Sequence, residues 1–95
     1  MIKDTKGKAR LELLKRHTLI GIAKVREFGI NKYQNDVDWQ HTPEHAYLGA
    51  ALRHIYAAID GEELDPESGL PHIDHAMASL MLHSEQKRLR GTDGE

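Results

Sequence analysis

The sequence predicts an all-α fold, three main helices in a small antiparallel bundle completed by dimerisation, and three observations carry that prediction. Apolar residues recur at helical spacing in three stretches, Leu19 to Val25, Leu48 to Ile59 and Met77 to Met81. Turn-forming runs separate them, the polar segment from Asn31 to His41 and the string GEELDPESGL from Gly61 to Leu70. No segment reads as a strand, an internal repeat or a low-complexity tract.

In chain order, residues 1–9 read as a flexible basic leader, residues 10–90 as one helical domain and residues 91–95 as a disordered tail. Leu11, Leu13 and Leu14 form a short apolar patch suited to docking an extended or one-turn segment onto the core. The first helix is expected to start near His17 or Thr18, to bury Leu19, Ile22, Ala23 and Val25, and to end at Phe28-Gly29, where glycine suits a helix C-terminus. Thr42 is a good N-cap for the second helix, Pro43 fits its first position and Glu44 favours the positive end of its dipole. Leu48, Leu52, Ile55 and Ile59 then recur until Asp60-Gly61 stops it. Pro71 opens the third helix, with Met77, Leu80 and Met81 as core candidates and Gln86 to Arg90 as its polar end.

A chain of 95 residues makes one domain, and small domains bury a modest share of their surface, so a homodimer or higher homo-oligomer is expected. The absence of cysteine excludes disulfides and thiolate metal sites. No apolar run approaches the roughly 20 residues that span a bilayer, and no signal-peptide core follows the N-terminus, so the expected setting is the cytoplasm. Charge is unevenly spread: Met1 to Lys32 carries nine Lys or Arg against three acids, whereas Tyr33 to Gln86 carries Arg53 alone against ten acids. A basic arm holds phosphates and an acidic, His-rich centre favours cations, a division that suits a metal-bound nucleotide as well as two solvated faces.

The sharpest local feature is His72-Ile73-Asp74-His75, because positions i and i+3 share a helix face and can hold one cation between two imidazoles. Asp65 and Glu67 are close enough in sequence to fold back onto that turn, giving a mixed oxygen and nitrogen set for Mn, Fe or Zn, or for Mg through the carboxylates. The structural alternative is that Asp65 or Ser68 caps the helix while the histidines pack or face water. Arg53 is an ion-pair anchor or a phosphate clamp, and His54, flanked by Ala50, Ala51 and Ala58, either meets the histidines of the third helix or is a hydrogen-bonded core residue. Tyr33 and Trp39 stack on a base or cover the core. Glu62 to Asp65 spells ExxD, but in a Pro- and Gly-bounded loop. Signatures of P-loop enzymes, serine and cysteine hydrolases and zinc proteases are absent.

Arg10-Leu11-Glu12-Leu13-Leu14, Phe28-Gly29, Lys32-Tyr33, Trp39, Tyr47, Arg53-His54, Gly61 and the string DPESGLPHIDHA follow one another in an order that resembles the phage-associated dATP/dGTP diphosphohydrolase N-terminal domain family. The similarity runs from about Lys8 to about Glu85. What it implies is a MazG-like, all-α nucleotide pyrophosphohydrolase using Mg or Mn, commonly dimeric, in the host cell cytoplasm, with Arg53, His54, Asp65, Glu67, His72 and His75 as its site. The chain departs from MazG-like enzymes in lacking ExxE and in placing ExxD in a loop.

The expected function is therefore a metal-dependent hydrolase that releases monophosphate and pyrophosphate from (deoxy)nucleoside triphosphates. Asp65, His72 and His75 hold the divalent cation, Arg53 with Lys8 or Arg10 neutralises phosphate, and His54 or Glu67 serves as base or orients it. The rival is a non-catalytic phage binding or regulatory module whose basic arm contacts nucleic acid or which binds a host protein.

Overall fold

The computed structural model describes residues 7–34 and 38–91, so residues 1–6, most of the expected leader, and residues 92–95 of the expected tail lie outside it, as do residues 35–37. Its elements are a one-turn 3₁₀ segment η1 (Leu11–Leu13), helix α1 (Arg16–Tyr33), a second 3₁₀ turn η2 (Asp38–Gln40), α2 (Glu44–Ile59) and α3 (His72–Gly91). Among the described residues no strand forms; Leu64 and Pro71 make an isolated antiparallel bridge across the loop before α3.

Helix α1 runs a full turn past Gly29 and ends in a left-handed Gln34, φ 54°. Glycine at a helix end adopts positive φ at no cost, but here Gln34 takes that role and Gly29 keeps helical geometry inside the helix, where glycine costs about 0.5–1 kcal/mol relative to Ala. The inward face of α1 repeats Gly21, Val25 and Gly29 every four residues, while Leu19 and Ala23, expected inside, are exposed. A Cβ at Gly21 would run into the Asp74 carboxylate, so α1 approaches α3 closely there. Leu11, Leu13 and Leu14 form their single turn without docking, and Leu11 is 72% exposed.

Pro43 is the N-cap of α2, not its first residue, because its ψ of 139° is extended. The Glu44 carboxylate accepts a 2.8 Å hydrogen bond from Arg90 and lies 3.6 Å from Lys87. These exposed pairs contribute little stability but set the start of α2 beside the end of α3, the antiparallel arrangement expected.

Helix α3 is the axis of the fold. It packs along α2 and against α1, whereas α1 and α2 make no direct helix-to-helix packing, so a cleft floored by α3 lies between them. A helix contacted from two sides needs small residues for close approach, which is why Ala76 and Ala78 are buried; Leu82 is buried with them, while Leu80 and Met81, expected inside, are exposed and Met77 is half-buried. The core they share with Val25 and Ala51 is thin.

Gln86, expected at the polar end of α3, is 1% exposed. Its Nε2 donates to the carbonyls of Trp39 (2.6 Å) and Thr42 (2.8 Å), fastening η2 and the entry to α2 onto α3. Gln86→Ala is expected to lower stability by about 1–3 kcal/mol, since it removes the donor from two carbonyls at once. Urea unfolding followed by circular dichroism checks this, and an unchanged midpoint would show that Gln86 fastens nothing.

Candidate metal centre and adjoining groove

The segment DPESG folds into a closed turn that fixes one carboxylate. Asp65 N–H donates to the Leu70 carbonyl (2.8 Å), and Gly69, at φ 74°, donates to the Asp65 carbonyl (2.7 Å). The Asp65 Oδ1 accepts from the backbone N–H groups of Glu67 (2.7 Å) and Ser68 (3.2 Å). With Oδ1 committed to the turn, Oδ2 faces His54, 3.9 Å from its Nδ1. Asp65 thus caps the loop turn, and not the third helix as the structural alternative has it, while its second oxygen is left toward His54.

His54 from α2, Asp65 from the loop and His75 from α3 each offer a ligand atom, and all three atoms lie within 4.8 Å of one another. Donors bound to one ion at about 2.1 Å sit roughly 3.0–3.4 Å apart at octahedral or tetrahedral angles, so atoms up to 4.8 Å apart draw in by somewhat over an ångström to hold one ion. The imidazoles of His54 and His75 stack, with centroids 4.5 Å apart and planes 12° from parallel. His75 Nε2 is 2.7 Å from Ser68 Oγ, an oxygen that also accepts the Leu70 N–H.

His72, the other histidine of the HxxH pair, is buried and engaged at both nitrogens. Its Nε2 lies 2.8 Å from Glu62 Oε1 and its Nδ1 lies 2.8 Å from His54 Nδ1. An ionised carboxylate only accepts, so His72 Nε2 carries the proton and donates to Glu62. When both imidazoles are neutral, His72 Nδ1 is the acceptor and His54 Nδ1 donates. The chain Glu62, His72, His54 thereby leaves the lone pair of His54 on Nε2. Carboxylates and histidines that fix the tautomer of a ligating imidazole in this way are a recurrent support of metal sites.

The electrostatics agree with neutral imidazoles beside an ionised carboxylate. Burial lowers the pKa of His54, and the adjacent His75 and His72 lower it further against the pull of Asp65. Burial likewise lowers His75, opposed by Asp65. Burial pushes the Asp65 carboxyl up, but the Glu67 and Ser68 N–H groups and the two histidines outweigh it and hold it below its ordinary value. These are the protonation states a cation requires of its ligands.

Above the triad the cleft opens into two cavities. The first, about 250 Å³, is lined by Phe28, Gly29 and Lys32 of α1, by Asp65 and Glu67 of the loop, and by His54 and His75. At its rim Lys32 Nζ pairs with Glu67 Oε2 at 2.6 Å, and hydrogen bonds to Glu67 and Tyr33 hold the Lys32 ammonium above its ordinary pKa. The second, about 180 Å³, continues past Gly29 between Tyr33, Trp39 and Tyr47 over Ala78, Ser79 and Leu82.

Of the residues read from the sequence, Asp65, His54 and His75 converge, Glu67 stands at the rim, and His72 supports His54 instead of facing the shared point. Arg53 is exposed, with its guanidinium toward Gly49 one turn back along α2. Arg10 pairs with Glu12 at 2.9 Å and Lys8 is exposed before η1; none of the three basic residues lines either cavity. The cation beside the triad is Lys32, which has no site role in the sequence reading, and Glu62, Ser68 and Gly29 take places other than the ExxD, helix-cap and helix-stop readings of the sequence. Lys32 had a signal in its helical spacing from Phe28 and Gly29; Glu62 stood out only as the first letter of ExxD, which does not tell that it bonds His72.

A histidine whose folded pKa lies below its unfolded value of about 6.5 binds fewer protons folded than unfolded, so its stabilising contribution is complete above pH 6.5 and is lost as pH falls through the folded pKa. The metal-free protein is therefore expected to melt at progressively lower temperature below pH 6.5, and the His54→Gln/His75→Gln double variant to show a shallower decline. Thermal melts from pH 8 to pH 5 measure both; parallel declines would remove the two histidines as the cause.

Comparison with known proteins places this chain in a family. The family described as "dATP/dGTP diphosphohydrolase, N-terminal" matches residues 2–93. A protein of Salmonella phage PMBT28 named dATP/dGTP diphosphohydrolase is 34% identical over 81 residues, which cover 85% of this chain and 28% of that protein. This chain thus spans well under half of that relative's length. No solved structure matches. With nearly every residue aligned to the family, and the resemblance read from DPESGLPHIDHA confirmed by it, the chain belongs to the dATP/dGTP diphosphohydrolase N-terminal family.

Proposed function

We propose that this domain is a divalent-cation-dependent hydrolase of deoxynucleoside triphosphates, in which His54, Asp65 and His75 hold the cation. The observation that carries the reading is the convergence of two neutral imidazoles and one ionised carboxylate, from two helices and a closed loop, at the floor of a groove. The relative's name supplies the substrate class, dATP and dGTP. Of Mg and Mn, a set with two nitrogen donors favours Mn, because Mg prefers oxygen ligands.

A bound cation would polarise a phosphate oxygen and lower the pKa of an attacking water. The chain's own groups do the rest. Glu62 and His72 keep the His54 lone pair on Nε2. Lys32 exchanges its Glu67 partner for incoming phosphate and stabilises charge there, a role first given to Arg53, Arg10 and Lys8. Glu67, released from Lys32 at the rim, accepts the proton of the water. Water adds to the α-phosphorus, the bond to the bridging oxygen breaks, and monophosphate and pyrophosphate leave.

The second copy expected of a small domain has a surface waiting for it. Leu48, Leu52, Tyr56 and Ile59 recur along one side of α2, all exposed, Ile59 by 72%, and no charge interrupts them. An uncharged apolar stripe is self-complementary across a twofold axis, and burying it would supplement the thin core.

Incubation of the wild type with dATP and dGTP is expected to give monophosphate and pyrophosphate with Mn²⁺ and nothing with EDTA. His54→Ala, Asp65→Asn and His75→Ala are each expected to abolish both turnover and Mn²⁺ binding by isothermal titration. His72→Phe should only weaken Mn²⁺ binding, by about 10–100-fold, as loss of a supporting partner does. A His72 variant that loses binding as completely as His75→Ala would restore His72 to the ligand set, and metal-independent or absent turnover would end the hydrolase reading.

For the dimer, sedimentation equilibrium is expected to give twice the chain mass for the wild type and the single mass for Leu52→Glu. A monomeric wild type would leave the α2 stripe without a second copy.

A further inference from the structure

We infer that the cavity between Tyr33, Trp39 and Tyr47 is the slot that receives the nucleobase, and that Gly29 is the gap through which the substrate passes from it to the metal triad. The inference rests on the nucleotide-hydrolase reading and adds to it the half of the ligand that the triad does not touch.

Four observations meet here. The slot and the triad's cavity share Val25, Gly29, Tyr33, His75 and Ser79, so they form one groove with an end that carries the triad and Lys32 and an aromatic end that also carries Arg26. That polarity matches a molecule with an anionic chain at one end and a planar ring at the other; aromatic side chains are the common platform for bases because every base has a π face. The platform is fastened: Gln86 holds the Trp39 carbonyl at 2.6 Å, so the Trp39 backbone cannot drift. Ser79 and Arg26 add polar groups to the slot's lining for the hydrogen-bonding edge of a base.

The fourth observation is Gly29 itself. It lies inside α1 with helical geometry, and a Cβ built on it would meet nothing within 4 Å. At Gly21, two turns earlier, packing explains the glycine, because a Cβ would strike Asp74. At Gly29 neither backbone conformation nor packing does, and Ala would make the helix more stable. What a side chain at Gly29 would remove is the open space joining the two ends of the groove.

Trp39 is the chain's single tryptophan, so its emission reports on the slot alone. The full chain is titrated with deoxyadenosine, with deoxyguanosine, with their triphosphates plus Mg²⁺, and with inorganic tripolyphosphate plus Mg²⁺. Nucleosides and nucleotides are expected to change Trp39 emission and tripolyphosphate to leave it unaltered. Gly29→Leu should weaken nucleoside and nucleotide binding by about tenfold to a hundredfold, as losing one stacked base does, while Mn²⁺ binding at the triad, read by electron paramagnetic resonance, stays as in the wild type. Gly29→Ala, which the helix tolerates best, should show the smaller effect in the same direction and carries the test if the leucine variant does not fold. Nucleotide turnover without a Trp39 response, or full nucleoside affinity in the Gly29 variants, overturns the slot while leaving the hydrolase standing. Gly29-dependent nucleoside binding with no turnover of any triphosphate upholds the slot and overturns the hydrolase instead.

Discussion

The two hydrogen bonds of His72 are the constraint on which the rest of the site turns. His72 is buried at the first residue of α3, and its backbone N–H donates to the Glu63 carbonyl at 2.9 Å, tying the loop to the helix start. Its ring then joins Glu62 on the loop to His54 on α2. A buried imidazole with an unmet nitrogen would cost about 1–3 kcal/mol, so loop, α2 and α3 are coupled through one side chain. With Glu62 accepting and both imidazoles neutral, the same coupling leaves the His54 lone pair on Nε2. A structural preference of the fold thus becomes a chemical property of the neighbouring residue.

The second constraint is architectural. Three helices of similar length can all touch one another, but here α1 and α2 meet only through α3. The consequence is a small core and a long groove, two sides of one arrangement. Small residues let α3 serve both neighbours, Gly21 brings α1 close at one end, and Gln86 fastens η2 at the other. Between these fixed points the groove stays open, with the triad and Lys32 toward the loop and the aromatic residues toward η2. Apolar surface left outside, above all along α2, is the counterpart of that open interior.

Three helices and their order were legible because apolar spacing and turn chemistry are local signals. Where those signals misled, the missing information was tertiary. Gly29 has the look of a helix stop, and only the groove gives it another reason to be glycine. Met77, Leu80 and Met81 look like core by hydrophobicity, yet a helix shared by two neighbours buries Ala76, Ala78 and Leu82. Gln86 looks like surface until the carbonyls of Trp39 and Thr42 are brought to it.

The candidate site was legible as residue types that could cluster, and not as a geometry. His54, Asp65, Glu67, His72 and His75 stand out for their types and spacing, and the first, second and last do converge. Spacing of i and i+3 says that His72 and His75 share a face; it does not say that Glu62 will claim one of them. The phosphate cations were sought in the basic arm because charge was densest there, whereas the lysine at the groove, Lys32, lies at the end of α1 and is placed by the extra turn that the helix makes past Gly29.

The most direct test of the metal centre is the anomalous diffraction of crystals grown with Mn²⁺. A single strong peak bound by His54 Nε2, an Asp65 carboxylate oxygen and His75, with His54 Nδ1 still bonded to His72, is the predicted result. A peak on His72, or on the loop acids away from His54 and His75, would contradict this centre.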